Sequence, residues 1–342
     1  MVINIQDQIL GGGRTFFIAE VAGAYEGKLE NAIKLIDVAV SAKADAIKFQ
    51  IVFKDQYVVP QHEIYKYVET IELTPAQWSY LREYSRKRRI LFFCDIFDPL
   101  ACQVAKNINP DAVKIHSSDL SNLELIEEAA KIGKPLFLGV GASTIDEISL
   151  AINTIRTLGN KNIALMIGYQ GFPTKIEDMN LNFIRTLKTL YGLPVGVLDH
   201  SEGETFMSRV IPLLTPFIGA DVIEKHFCLD RDSLGKDYDP ESSVNPETLA
   251  SIIETLRSIE KAFGTGIVRE FSTDELKYRD LMKKSIVTEQ TIKEGEMISK
   301  DKISFKRAGP GGVKPSDLGL VLGKRAKVNL PKHSQVKLGE VG

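Results

Sequence analysis

Between residues 15 and 264, short runs rich in β-branched and aromatic side chains alternate eight times with longer amphipathic stretches, and few folds accept that rhythm. The runs span 15–20, 45–50, 90–95, 111–116, 136–140, 162–167, 195–199 and 221–226. Helical stretches at 29–42, 75–87, 122–131, 144–158, 179–191 and 248–263 lie between or after them. The first carries Ala32, Ile33, Ile36, Ala39 and Val40 at a helical period. Thr144 with Glu147 makes a capping box, and Pro246 suits a first helical turn. Strands that are apolar almost throughout belong to a parallel sheet buried on both faces, and eight strand–helix units close a barrel. An open, doubly wound sheet that binds a dinucleotide would need a glycine-rich turn after its first strand. Gly11, Gly12 and Gly13 precede that strand and read as a flexible lead-in. The predicted architecture is a (β/α)8 TIM barrel over residues 1–264.

The chain has 342 residues, more than a barrel of about 250 needs. Residues 265–283, including Arg269 and Glu270, are charged and helical in pattern and read as a linker. Residues 284–342 read as a small β-rich domain of short strands and turns, which needs burial from elsewhere at that size. A net charge of −2 gives no global field toward nucleic acid or membrane. The Arg86–Arg89 basic run falls at a helix end, where cations suit the dipole. Cys94, Cys102 and Cys228 show no paired spacing, which fits a reducing compartment. The start resembles no secretory signal, and no apolar run reaches the ~18 residues of a membrane span. The expected location is the cytoplasm.

The C-terminal ends of barrel strands form the active-site face. Here those ends carry Glu20, Lys48 and Gln50, Asp95, Lys114 with Ser117, Gln170, Asp199 and His200, and Glu224 with Lys225 and His226. Lys48 and Lys114 sit inside apolar runs, where an unanswered ammonium is costly. Either buried carboxylates answer them, with Glu20 and Asp119 as candidates, or they clamp a phosphate or carboxylate on a substrate. His200 and His226 end neighbouring strands, with Asp199 and Glu224 close in sequence. Two imidazoles with carboxylates nearby suit a borderline divalent ion such as Mn²⁺, the rest of its shell being water and substrate oxygens.

Seven segments in order along the chain carry a resemblance. They are 17–20, 47–50, 113–115 with Ser117, 199–201, 223–227, Asp239 through Pro246, and 305–307. Together they resemble the sialic acid synthase family, which makes nonulosonic acids from phosphoenolpyruvate and an N-acetylated hexosamine; the tail is similar to that family's antifreeze-like SAF domain. The resemblance implies that His200 and His226 hold a divalent metal, Mn²⁺ or alternatively Mg²⁺ or Co²⁺. Lys48, Lys114, Ser117 and Gln170 would bind phosphoenolpyruvate. Gln50, Phe172, Asp239 and Arg307 would meet the acceptor sugar. Glu20 would handle protons and Glu224 would support the site as the second catalytic carboxylate. A homodimer is implied in which each SAF domain caps the partner's barrel.

The chain departs from the family pattern at Tyr25, Asp95, Val140 and Phe172. An aspartate at position 95, where the family carries a phosphate-binding threonine, would repel a phosphate unless protonated or paired. An altered acceptor such as a diacetamido sugar, a rearranged phosphate site, and a homologue that binds without turnover all fit these changes. A synthase of 3-deoxy sugar acids fits less well, because the tail carries Arg307.

Overall fold

The computed structural model describes residues 1–264, 266–268 and 270–342, so Thr265 and Arg269 of the predicted linker lie outside the described residues. The chain divides into two compact units, Met1–Gly264 and Thr265–Gly342.

The first unit opens with an antiparallel hairpin of β1 (Ile3–Ile5) and β2 (Gln8–Leu10). No element was predicted before the first barrel strand. Instead Ile3, Ile5 and Leu10 of the hairpin are buried in one cluster with Phe16, Phe93 and Phe137. Eight strands then follow: β3 (Phe16–Glu20), β4 (Ala46–Ile51), β5 (Leu91–Ile96), β6 (Ala112–Ile115), β7 (Leu136–Gly139), β8 (Ile163–Ile167), β9 (Val195–Asp199) and β10 (Val222–His226). Each pairs in parallel with the next, and β10 closes on β3, which completes the predicted barrel.

Six strands start one residue later than the predicted runs, and at Ala46, Ala112 and Val222 the physical reason is the same. Asp45, Asp111 and Asp221 leave the strand to accept backbone N–H groups of Phe17, Phe92 and Val195 at 2.8, 2.8 and 2.9 Å. A cation from outside the barrel completes each: Arg257, Arg82 and Lys188. These ties fix register between neighbouring strands at the end remote from the strands' C-termini.

The outward faces of the strands pack on helices, including Leu29–Ser41, Pro75–Arg88, Leu123–Lys131, Ile145–Thr157, Phe183–Tyr191 and Pro246–Phe263. The Thr144–Glu147 capping box and Pro246 in the first turn are both present. Helices Pro99–Ile108 and Phe206–Leu214 fill two crossovers in which no amphipathic stretch was singled out.

In the second unit, helix Thr273–Met282 lies within the predicted linker, capped by Ser272 and Glu275. β11 (Lys284–Thr288) pairs antiparallel with β12 (Ile303–Arg307). The unit was expected to depend on outside burial, yet Ile286, Ile292, Ile298, Val321 and Val336 give it an apolar centre of its own. All three cysteines are buried free thiols. Among the described residues no helix is long and apolar enough to cross a membrane.

Candidate functional site

A strand's side chains alternate between faces, so each barrel strand writes one column inward and one outward. The lower inward column is apolar: Ile18, Ala46, Phe93, Ala112, Met166, Leu198 and Val222 share one buried cluster. Two residues further along the same columns the chemistry changes to Glu20, Lys48, Asp95, Lys114, His200 and Glu224. A further step of two reaches Gln50, His116 and His226. The barrel thus has an apolar floor and a charged upper layer at the C-terminal ends of its strands.

Five of those groups form one buried cluster. Lys48 Nζ lies 2.6 Å from Glu20 Oε2, 2.7 Å from Asp95 Oδ2 and 3.3 Å from Glu224 Oε1. Lys114 Nζ lies 2.8 Å from Glu224 Oε1 and 3.3 Å from Asp95 Oδ2. Asp119, one of the expected partners, is not among them; its carboxylate instead accepts from Ser118 Oγ at 2.8 Å. Burial opposes the Lys48 ammonium, but Asp95, Glu20 and Glu224 outweigh it and hold its pKa well above the usual lysine range. Burial pushes the Glu20 carboxyl up, with Lys48 opposing and Glu224 and Asp95 adding to the rise. Glu224 also resists burial, and Lys114 and Lys48 hold its pKa below the usual carboxylate range. Three carboxylates face two ammonium groups, and Asp95 Oδ1 and Glu224 Oε2 have no hydrogen-bond partner.

A cavity of about 780 Å³ opens onto this cluster. Glu20, Lys48, Gln50, Lys114, Phe172, His200, Glu224, His226 and Asp239 all line it. The His200 and His226 rings stand 5.0 Å apart between centroids, nearly perpendicular, and the half-exposed Phe172 ring lies 4.5 Å from His200. Burial and then His226 hold His200 well below its ordinary pKa, so it is a neutral imidazole. Burial acts on His226 in the same direction, but Asp239 outweighs it.

Sequence proximity had put Asp199 beside His200 and Glu224 beside His226. The structure separates both pairs. Asp199 faces the helix layer and meets Lys225 at 3.1 Å, while Glu224 is bound to the lysines. The carboxylate that reaches His226 is Asp239, with Oδ2 at 2.7 Å from Nδ1.

Ser117 and Gln170 are together, with Gln170 Nε2 donating to Ser117 Oγ at 3.2 Å, but they line a separate cavity of about 380 Å³ that shares His116 with the first. A Cβ on Gly139 would come within 2.7 Å of Ser117 Oγ, so Ser117 occupies the room a side chain there would need. Arg307 ends β12 in the second unit and is exposed. Tyr25 and Val140 are buried in the outer core rather than at the cavity; Tyr25 packs edge-on against Phe49 and Trp78.

The NeuB family covers residues 35–268 and the SAF domain covers residues 283–341. The chain is 35% identical to an uncharacterised protein of Methanocaldococcus jannaschii, over 95% of this chain and 94% of that one. The chain belongs to the NeuB family. A NeuB-type relative, the N,N'-diacetyllegionaminic acid synthase of Legionella pneumophila, is 28% identical over 92% of this chain and 91% of its own. The crystal structure of an N-acetylneuraminic acid synthetase from Leptospira borgpetersenii, in complex with citrate, superposes with a TM-score of 0.73 at 32% identity, covering 82% of this chain and 97% of that one. The family thus includes proteins named as legionaminic, pseudaminic and N-acetylneuraminic acid synthases.

Among the cavity residues to which the sequence assigns no role are His116 and Tyr67. His116 follows Lys114 by two positions and so shares its inward column; burial, then Lys114, lowers its pKa to about 4. Its Nδ1 accepts the Ser118 N–H at 3.3 Å. Tyr67 lines the cavity from helix Tyr65–Ile71, far in sequence from any strand end, and no motif signals it. Among the described residues no group of three or more His, Cys, Asp or Glu side chains is placed to hold a metal ion. His226 Nδ1 and Asp239 Oδ2 lie 2.7 Å apart. His200 and His226 stand 5.0 Å apart between ring centroids and are nitrogen donors of the kind a borderline divalent ion takes.

Proposed function

We propose that this chain is a nonulosonic acid synthase that joins phosphoenolpyruvate to the open-chain aldehyde of an N-acetylated hexosamine. The single observation that carries the reading is one cavity with a buried lysine pair at its base and His200, His226 and Asp239 along its wall. The lysines supply positive charge for the donor's anionic groups, and Ser117 with Gln170 extends the polar surface beyond His116. Gln50 and Phe172 line the same cavity and offer the acceptor a hydrogen-bonding group and an apolar face. A diacetamido sugar is the acceptor class we favour, in keeping with the legionaminic acid synthase among its relatives.

In the proposed reaction, C3 of the enol donor attacks the aldehyde carbon and forms the new C–C bond. Water then adds at donor C2, and the tetrahedral adduct expels inorganic phosphate by C–O cleavage. A divalent ion held by His200 and His226, Mn²⁺ by preference, would polarise the aldehyde oxygen. Glu20, whose burial favours the protonated carboxyl, is the group for proton transfer to the nascent alkoxide or from the attacking water. Glu224 holds Lys48 and Lys114 in place and so positions the groups that receive the departing phosphate. Arg307, supplied by the SAF domain of a partner in a cytoplasmic homodimer, is assigned to the acceptor's N-acyl group.

Phosphate release with phosphoenolpyruvate, Mn²⁺ and a panel of N-acetylated hexosamines tests this reading. Release that requires one of the sugars is expected, and no release with any of them in metal-replete protein counts against it. One observation favours a second reading, binding without turnover: carboxylates already answer both lysines. That reading expects sugar-dependent thermal stabilisation without phosphate release. Turnover that collapses in His226→Ala would sink it.

A further inference from the structure

Asp95 stands out because it touches the proposed donor site without facing it. Its Oδ2 contacts both ammonium groups, at 2.7 Å from Lys48 and 3.3 Å from Lys114, as Glu224 Oε1 does at 3.3 and 2.8 Å. Glu20, Glu224 and the two lysines line the cavity, but Asp95 does not. It is fully buried behind them, with Oδ1 left unpartnered. A carboxylate in that position draws the lysine charge toward the barrel wall and away from any ligand in the cavity. It also repels a bound anion, and the repulsion grows with the ligand's charge.

We propose that Asp95 is a specificity-determining residue for the donor: it weakens the grip of Lys48 and Lys114 on doubly charged phosphoryl groups relative to singly charged carboxylates. The inference rests on the donor reading of the lysine pair and deepens it. Removing one negative charge behind the lysines changes the attraction for a dianion about twice as much as for a monoanion, because Coulomb energy scales with ligand charge. A merely structural role for Asp95 predicts no such ratio; a damaged site would lose both ligands together.

Isothermal titration of the full chain, at constant metal concentration and pH 8, reads this directly with inorganic phosphate and pyruvate as probes. Asp95→Asn should bind phosphate at least about tenfold more tightly than the wild type, with pyruvate gaining only about threefold. Asp95→Ser should show the same order, and it keeps the test open should the asparagine variant fail to fold. Unchanged or weaker phosphate binding in both variants, with the wild type binding phosphate normally, overturns the inference while leaving the donor reading in place. Absence of phosphate, pyruvate and phosphoenolpyruvate binding in wild type and variants alike overturns the donor reading and this inference with it.

Discussion

The barrel wall buries lysines in two different ways. Lys225 points outward from β10 into the helix layer and is fully buried. It meets one carboxylate, Asp199, at 3.1 Å, with Ser201 Oγ and the Ser201 carbonyl at 3.2 and 3.3 Å. Lys48 and Lys114 point inward, against three carboxylates and a cavity. In the first case one ammonium meets one carboxylate inside packed structure, although Asp199 Oδ2 has no hydrogen-bond partner. In the second, three carboxylates face two ammonium groups and a cavity lies beside them. A matched buried pair holds a fold together, whereas an unmatched cluster beside a void is arranged for something that arrives from solution.

Lys225→Met gives this contrast its hardest test. It leaves Asp199 buried and unpaired, and should destabilise the protein by about 3–5 kcal/mol in urea unfolding. Phosphate release per folded molecule should stay within a few-fold of wild type; a loss as large as that of an inner lysine would erase the distinction between the two faces. Lys114→Met should lower kcat/KM for phosphoenolpyruvate on the order of 10³-fold, because it removes charge stabilisation from the departing phosphate. Chelation should reduce turnover on the order of 10²-fold, with recovery on adding Mn²⁺ in the wild type but not in His200→Ala. The smallest effect is expected for the double change Lys225→Met with Asp199→Leu. Replacing both charges by apolar groups should return stability to within about 1.5 kcal/mol of wild type, which identifies the outer pair as structural.

The barrel was legible in the sequence because its strands are buried on both faces, which leaves short apolar runs that few other elements produce. Strand β9 was predicted to the residue, at Val195–Asp199. The small disagreements at Asp45, Asp111 and Asp221 arise where a side chain bonds the neighbouring backbone instead of extending the strand. The β1–β2 hairpin was missed because three-residue strands are too short to show a period. Nine of the candidate residues converge on one cavity, seven of them because they share strand ends, the position by which they were chosen; Phe172 and Asp239 lie in loops and came from the family resemblance. Partners within the site were harder to read. Glu224, Lys225 and His226 are consecutive, yet alternation sends Lys225 to the opposite face, so adjacency in sequence misled where a spacing of two would not. Asp239 reaches His226 from a loop, and no period along a strand could announce that pairing.

The central claim is that the charged upper layer of the barrel interior is the donor site. A crystal structure of the full chain soaked with phosphoenolpyruvate and Mn²⁺ tests it most directly. The account predicts donor density against Lys48 and Lys114 inside the barrel, with the ion between His200 and His226. Donor density elsewhere, or both lysines still bound only to Glu20, Asp95 and Glu224 at saturating donor, would contradict it.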